Sequence, residues 1–561
     1  MSGLRAVLAA LWWLAAGAGA AASAPPAGFT LTDVSAATGL DFVHVPGATG
    51  KHYFPEIMGA GCALLDYDDD GDLDVYLVQG TQLEEGTPPV PLPPRSRLYR
   101  NELISAPRAA PGALRFTDVT ERSGAGVVVY GMGTATGDVD NDGDVDLYVS
   151  AFGPDALLRN NGDGTFTDIT RAAGVSDPRW NASATFIDYD RDGWLDLYVT
   201  AYADFTVQTN KPCFTPSGAR DYCTPRAYPG LPSRLWRNQR DGTFRDATLE
   251  AGLHAAYGHG LGVVAADFDD DGWDDLFVAN DGDANQLWMN QRGRFSDQAL
   301  LQGAAFNEFG RPEAGMGIAA GDHDGDGDVD LYLTHLNGEL NRLLQNRGDA
   351  SFEDVTSRRG LGLPSLPFTG FGVAWIDLDH DADLDLFMAN GDVTRVEALA
   401  GEPYPYHQAN QVMLQTGPGR FEDRSAQAGP ALRLSEVGRG VATGDVDNDG
   451  DQDILVSNNN GRTRLLRADV SSPGEWIQLR VRDARLRRDA VGARVTVTLS
   501  DGRVLTRWVR TDGSYLSSGD PRVHVAWPAG PTVRSIVLKM PDGRTETLAD
   551  VPQRRITTVS R

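Results

Sequence analysis

Residues 137–149 read GDVDNDGDVDLYV. Five carboxylates occupy nine consecutive positions, Asp138 to Asp146, and a β-branched apolar run follows at once. Like charges held that closely repel, so the stretch needs a cation or a special backbone to be tolerable. It is not alone. The pattern D-x-D-x-D-G-x-x-D occurs seven times, and repetition at this spacing marks a repeat architecture.

The first loop places carboxylates at Asp66, Asp68, Asp70 and Asp74. The second uses Asp138, Asp140, Asp142 and Asp146, and the third Asp188, Asp190, Asp192 and Asp196. The fourth has Asp267, Asp269, Asp271 and Asp275; the fifth has Asp322, Asp324, Asp326 and Asp330. Asp377, Asp379, Asp381 and Asp385 form the sixth, and Asp445, Asp447, Asp449 and Asp453 the seventh. Only the sixth departs from the pattern, with Ala382 where the others carry glycine.

Around each loop the same context returns. A small-residue segment such as YGMGTATGD precedes it and a strand-like run such as DLYVSAF follows. Then come segments such as ALLRNNGDG and TFTDIT. Short runs rich in β-branched and aromatic residues, punctuated by Gly, Asn and Asp, read as strands and turns. Four strands per repeat, seven times over, predict an all-β fold: a seven-bladed β-propeller over residues 28–470. Six fourth-strand segments follow the first six loops. The seventh, FTLTDVSAATGL, precedes all of them at Phe29–Leu40, so the N-terminal strand is expected to complete the last blade and hide two sheet edges. From Gly474 the pattern changes to alternating strands without acidic loops, predicting a separate small β domain over 474–561.

Hard divalent cations take six to eight oxygen ligands, and Ca²⁺ accepts this kind of flexible carboxylate and carbonyl shell. In each loop the carboxylates at positions one, three, five and nine, with the backbone carbonyl of position seven, predict a Ca²⁺ site, up to seven in all. An EF-hand closes with glutamate at position twelve between helices; here an aspartate closes at position nine between strands. The chain carries a formal net charge of −28, which seven Ca²⁺ would halve. The site at Asp377–Asp385 is expected to be the weakest, because Ala382 must enter a turn conformation that glycine tolerates better.

The same acidity excludes nucleic-acid binding and simple adsorption to anionic membranes. At the N-terminus, MSGLRAVLAALWWLAAGAGAAASAPPAG has a basic Arg5, an apolar core over Ala6–Ala16 and small residues suited to cleavage before Ser23. Residues 1–24 are expected to be a signal peptide, placing the protein in the periplasm or outside the cell. No later segment has the length of a membrane span. Cys213 and Cys223 lie in a Pro/Gly-rich loop and are expected to form a disulfide; Cys62, among apolar strand residues, is expected to be buried and free.

Three segments are too long for tight turns: 81–97, 201–233 and 391–410. Function usually lives in such inserts. Candidate acid–base groups are His44, His52 and Glu56 with Tyr53, and His254, Tyr257 and His259. Their alternative role is to line the core of the repeats. G-x-S-x-G, H-E-x-x-H and P-loop patterns do not occur. Asn181 begins an N-A-S sequon.

The acidic loops resemble the FG-GAP/VCBS repeats of integrin-α-type propellers. The stretch from Arg487 to Trp527, with PDGRTETLADV after it, resembles the ASPIC/UnbV module. Met540 stands where that module would carry tryptophan, and Trp527 appears earlier. The pairing of repeats with this module resembles the bacterial relatives of cartilage acidic protein. The resemblance implies an exported, calcium-binding repeat protein and no settled activity. Two functions are expected on these grounds. The first is a binding or adhesion module for an extracellular or periplasmic protein or glycan. The alternative is a calcium-dependent carbohydrate-active enzyme of polysaccharide-lyase type, using the His/Glu/Tyr groups near the first blade.

Overall fold

The computed structural model describes residues 28–83, 94–103, 114–472 and 474–561. The expected signal peptide and most of the first insert lie outside them. Among the described residues no helix is long and apolar enough to cross a membrane.

Seven four-stranded antiparallel sheets account for the repeats. The second is typical: Gly131–Gly137, Asp146–Ala151, Ala156–Asn160 and Phe166–Asp168, hydrogen-bonded in chain order. Each aspartate loop is the turn between the first and second strands of its sheet. In the seventh sheet, Gly438–Gly444, Asp453–Asn458 and Arg464–Val470 come from the chain's late part and Phe29–Asp33 from its start. Phe29 pairs with Val470 and Asp33 with Leu466. The strands are short and pack in pairs: every interface between neighbouring sheets has its own apolar cluster, such as Leu147, Val149 and Leu158 against Leu65 and Val78. Burial of such side chains stabilises by roughly 1.5–3 kcal/mol each.

The first strand of each sheet lies against the first strands of its two neighbours, and that of the first sheet, Cys62–Leu65, lies against Gly131–Gly137 and Gly438–Gly444. Crowding there explains the small-residue segments. A Cβ on Gly317 would meet the Phe371 carbonyl oxygen at 2.0 Å, and one on Gly61 would meet that of Leu516 at the same distance.

Leu516 belongs to the C-terminal module. That module begins at Glu475–Arg482, pairs this strand with Val523–Trp527 and Ile556–Ser560, and builds a second sheet around Arg494–Leu499. Its core is apolar and includes fully buried Trp527 and the nearly buried Met540. The segment joining Val504–Trp508 to Val523–Trp527 leaves the module and enters the repeats. It hydrogen-bonds the first strand of every sheet: Leu64 N to Ser518 O, Thr134 N to Leu516 O, Ile318 N to Ser514 O and Asp520 N to Thr443 O. Leu516 N donates to Ser183 Oγ, Ala265 N to Asp512 Oδ2 and Val373 N to Ser514 Oγ. Tyr515 and Leu516 are completely buried in one cluster with Phe54, Met132, Trp180 and Phe371. The sequence predicts a separate domain over 474–561; its segment 510–520 is hydrogen-bonded among the first strands of the repeats.

Candidate metal centres and the groups around them

Each aspartate has its own place in the loop. In five loops the position-one carboxylate accepts backbone N–H groups from positions five and six, as Asp138 does from Asp142 and Gly143 at 3.3 and 2.9 Å; in the fourth and fifth it keeps the bond from position six. The position-five carboxylate accepts from position seven, as Asp142 does from Asp144 at 3.0 Å. These bonds curl the chain tightly. Position four takes a positive φ, for instance 56° at Asn141, and Ala382 at position six of the sixth loop is held at 84°. Glycine adopts that region without cost; alanine does not.

The position-nine aspartate is a clamp. In all seven sheets its Oδ1 accepts a backbone N–H from the third strand, at 2.6–2.9 Å. In six its Oδ2 accepts the N–H of position two. This double use was not expected from the sequence, where position nine was read as a metal ligand alone.

Position three is different. The Oδ1 atoms of Asp68, Asp140, Asp190, Asp379 and Asp447 are buried without a hydrogen-bond partner. The other oxygens of Asp68 and Asp190 meet third-strand arginines, Arg100 at 2.8 Å and Arg237 at 2.6 Å. An unpaired buried carboxylate oxygen is costly, and a cation at the loop centre removes the cost. Acidic groups converge there: Asp138, Asp140 and Asp146 hold oxygens within 4.8 Å of one another, as do Asp188, Asp190 and Asp196. Burial, reinforced by the neighbouring carboxylates, pushes Asp196 and Asp275 up to about 9 and Asp66 and Asp322 up to about 7. A bound divalent cation would keep these groups ionised. The donor set, hard carboxylate oxygens with carbonyls at hand, fits Ca²⁺. The fifth loop adds His323, whose Nδ1 lies 2.6 Å from Asp330 Oδ2.

A second repeated residue escaped sequence reading. The third strand ends in Asn101, Asn160, Asn238, Asn290 and Asn346 in the first five sheets and carries Gln415 in the sixth. Each side-chain amide donates to the position-two carbonyl of the preceding sheet's loop, at 2.7–3.3 Å. Asn101 reaches Val446 of the seventh sheet. In the seventh, Ala468 holds this register and cannot make the link. The recurring asparagine in LLRNN and RLWRNQ was the available signal.

The module lies over these loops, and its charge matches. From Gly474 to Arg561 there are sixteen Lys and Arg against nine Asp and Glu, a net of +7 in a chain whose total is −28. Arg480 contacts Asp66 at 3.1 Å and Asp69 at 2.6 Å, and Lys539 contacts Asp270 at 2.6 Å. That asymmetry is legible in the composition.

The opposite end is closed by the inserts. Cys213 and Cys223 form the expected disulfide, and Cys62 is buried and free, its thiol pushed by burial up to about 11. Asp221 in the cysteine loop accepts from Tyr406 Oη and Arg395 N of the third insert, both at 2.9 Å. Of the acid–base candidates, Glu56 is fully buried and accepts from Tyr222 Oη at 3.1 Å, while the His52 ring packs edge-on against Tyr222 at 4.9 Å. Tyr53 joins the axial apolar cluster. His44 stands apart, accepting from Asn460 N, and burial lowers it to about 3. His259 is fixed between Asp283 and the Tyr228 carbonyl; His254 and Tyr257 are exposed and join no cluster with it. Asn181 is wholly buried with its amide on Asp155.

Residues 138–199, 227–278, 267–333, 322–388 and 396–456 match the FG-GAP-like repeat family, and residues 483–561 match the ASPIC and UnbV family. The chain belongs to the FG-GAP-like repeat proteins that carry a C-terminal ASPIC and UnbV module. Among curated proteins it is similar to cartilage acidic protein 1: 26% identical over 221 residues to that of Homo sapiens, covering 37% of this chain and 30% of that protein. Against the Xenopus tropicalis protein it is 30% identical over 169 residues, covering 29% and 25%. The chain thus spans less than a third of these relatives' length. Among solved structures, YCF48 from Cyanidioschyzon merolae aligns at 10% identity and a TM-score of 0.38, covering 72% of this chain and 94% of that one. An Agrocybe aegerita lectin that recognises non-reducing terminal N-acetylglucosamine aligns at 14% and 0.36, covering 65% and 79%.

Proposed function

We propose that this chain is an exported, calcium-stabilised seven-bladed β-propeller that serves as a binding module for an extracellular or periplasmic protein or glycan. The observation that carries the calcium reading is the buried, partnerless position-three oxygen, repeated in five loops. Ca²⁺ would be held by positions one, three, five and nine and the position-seven carbonyl, and would supply the missing counter-charge. Closure of the seven sheets is supported by the amide link from Asn101 to Val446 and by the N-terminal strand in the last sheet. Export is supported by the disulfide.

The partner surface is the insert end, because the C-terminal module covers the aspartate end. Phe214 in the cysteine hairpin and Tyr257 are each 62% exposed there, and exposed aromatics are favoured contact residues. A screen of calcium-loaded protein against glycan arrays and envelope or matrix extracts tests this. Binding should fall at least tenfold in Phe214→Ser/Tyr257→Ser with melting unchanged; binding that survives the double variant removes the insert end from the account. The enzymatic alternative draws on the contact of His52 and Glu56 with Tyr222. It requires turnover of an acidic polysaccharide that His52→Ala abolishes without unfolding.

A further inference from the structure

We propose that docking of the C-terminal module is coupled to calcium: filled loops hold the module, and with it the axial segment 510–520, in place, and loss of metal releases both. This rests on the calcium reading above.

The argument lies in which loop atoms the module touches. Arg482 Nη2 donates to Gly143 O at 3.1 Å, Arg503 Nη1 to Asp381 O at 2.8 Å and Arg522 Nη2 to Asp445 O at 3.0 Å. His524 Nε2 lies 2.8 Å from Gly450 O. All four acceptors are backbone carbonyls of positions one, five and six, outside the expected metal shell. The acidic partners Asp69 and Asp270 both sit at position four, also outside it. Among the described residues of the module, Arg480 alone touches an expected ligand side chain, Asp66. Apart from Arg480 on Asp66, the module therefore uses loop atoms that the metal would not.

Two ligands that share a structure without competing for atoms stabilise each other when both need the same conformation. The carbonyls face the module only while the loop keeps its curl. Without a cation, four to six carboxylates within nine residues repel and loosen it. A loop with one Ca²⁺ still carries net negative charge, so attraction to the basic module persists in the loaded state. Release of the module would withdraw Tyr515 and Leu516 from the axis and open it from the aspartate end. The metal would thereby control access to the interior of the repeats.

Hydrogen exchange on the full chain, with calcium binding followed in parallel by calorimetry, tests the coupling. The amides of Ser514, Leu516 and Ser518, all hydrogen-bonded to the repeats, should be protected in saturating Ca²⁺. Chelation should speed their exchange at least tenfold, while residues 277–279 inside a sheet keep their protection. Calorimetric binding together with metal-independent protection of 514–518 would overturn the coupling and leave the calcium reading standing; absence of binding would overturn both. Arg482→Ala/Arg503→Ala gives the reciprocal test. Linkage requires Ca²⁺ affinity to fall by about threefold or more. An unchanged or raised affinity would overturn the proposal, the latter by revealing competition.

Discussion

The aspartate end and the insert end of the repeats are closed by different chemistry. At the first, seven copies of one loop bury carboxylates, and a basic module covers them through arginines and one lysine. At the second, the cysteine loop, stapled by its own disulfide, meets the third insert through buried Asp221, beside aromatic rings such as Trp180 on Tyr202 at 4.8 Å. Repetition sets the frame, and single-copy segments decide what stays open. The electrostatic end should respond to metal and pH; the apolar end should not.

Metal removal should break the symmetry between the ends most strongly. Each site saturated at a hundredfold excess over its Kd contributes about 2.7 kcal/mol. Chelation should therefore lower the melting temperature by well over ~10 °C, while Cys213→Ser leaves that calcium response intact. The sign with pH follows from the raised carboxyls. Their ordinary value is 3.8 and, without metal, those of Asp196 and Asp275 stand at about 9. A raised folded pKa stabilises at low pH and is lost as pH climbs through the folded value. Metal-free protein should thus weaken between about pH 4 and 9, and the calcium-induced shift, read by calorimetric scans, should be larger at pH 8 than at pH 5.

Next in size is the axis, where the two ends meet. Tyr515→Ala should cost about 3–5 kcal/mol, since the ring is completely buried and its hydroxyl donates to Met58 O at 3.0 Å. Denaturant unfolding would measure it; a cost under about 1 kcal/mol would mean the segment is a passenger. Removing the disulfide by Cys213→Ser should cost about 2–3 kcal/mol on the loop-entropy model. Smallest is Ala382→Gly. Relief of the positive φ gains about 1 kcal/mol, offset by about 0.8 for a methyl buried against the module, so stability should move by less than about 0.5.

Much of this was legible in the residues because it repeats. A loop seen seven times with fixed spacing declares its turn, its flanking strands and its metal-type donors, and the leading FTLTD run could be assigned to the last sheet by counting. What escaped was of two kinds. The amide links of Asn101 and its counterparts repeat as clearly as the aspartates, but their acceptors lie in the next sheet, which spacing along one chain does not reveal. The axial segment occurs once. Nothing local in TDGSYLSSGD says that this segment hydrogen-bonds the first strands of all seven sheets. The candidate acid–base set comes together in part: His52 and Glu56 share Tyr222 as a neighbour, while His44 is held apart by Asn460 N.

The most direct test of the central claim is a count of bound calcium on the full chain, by equilibrium dialysis with elemental analysis at millimolar Ca²⁺. Loops built alike predict about six to seven ions per chain, the last to fill being the one at Asp377–Asp385. A count below about two, with the protein folded and unaffected by chelator, would contradict the account.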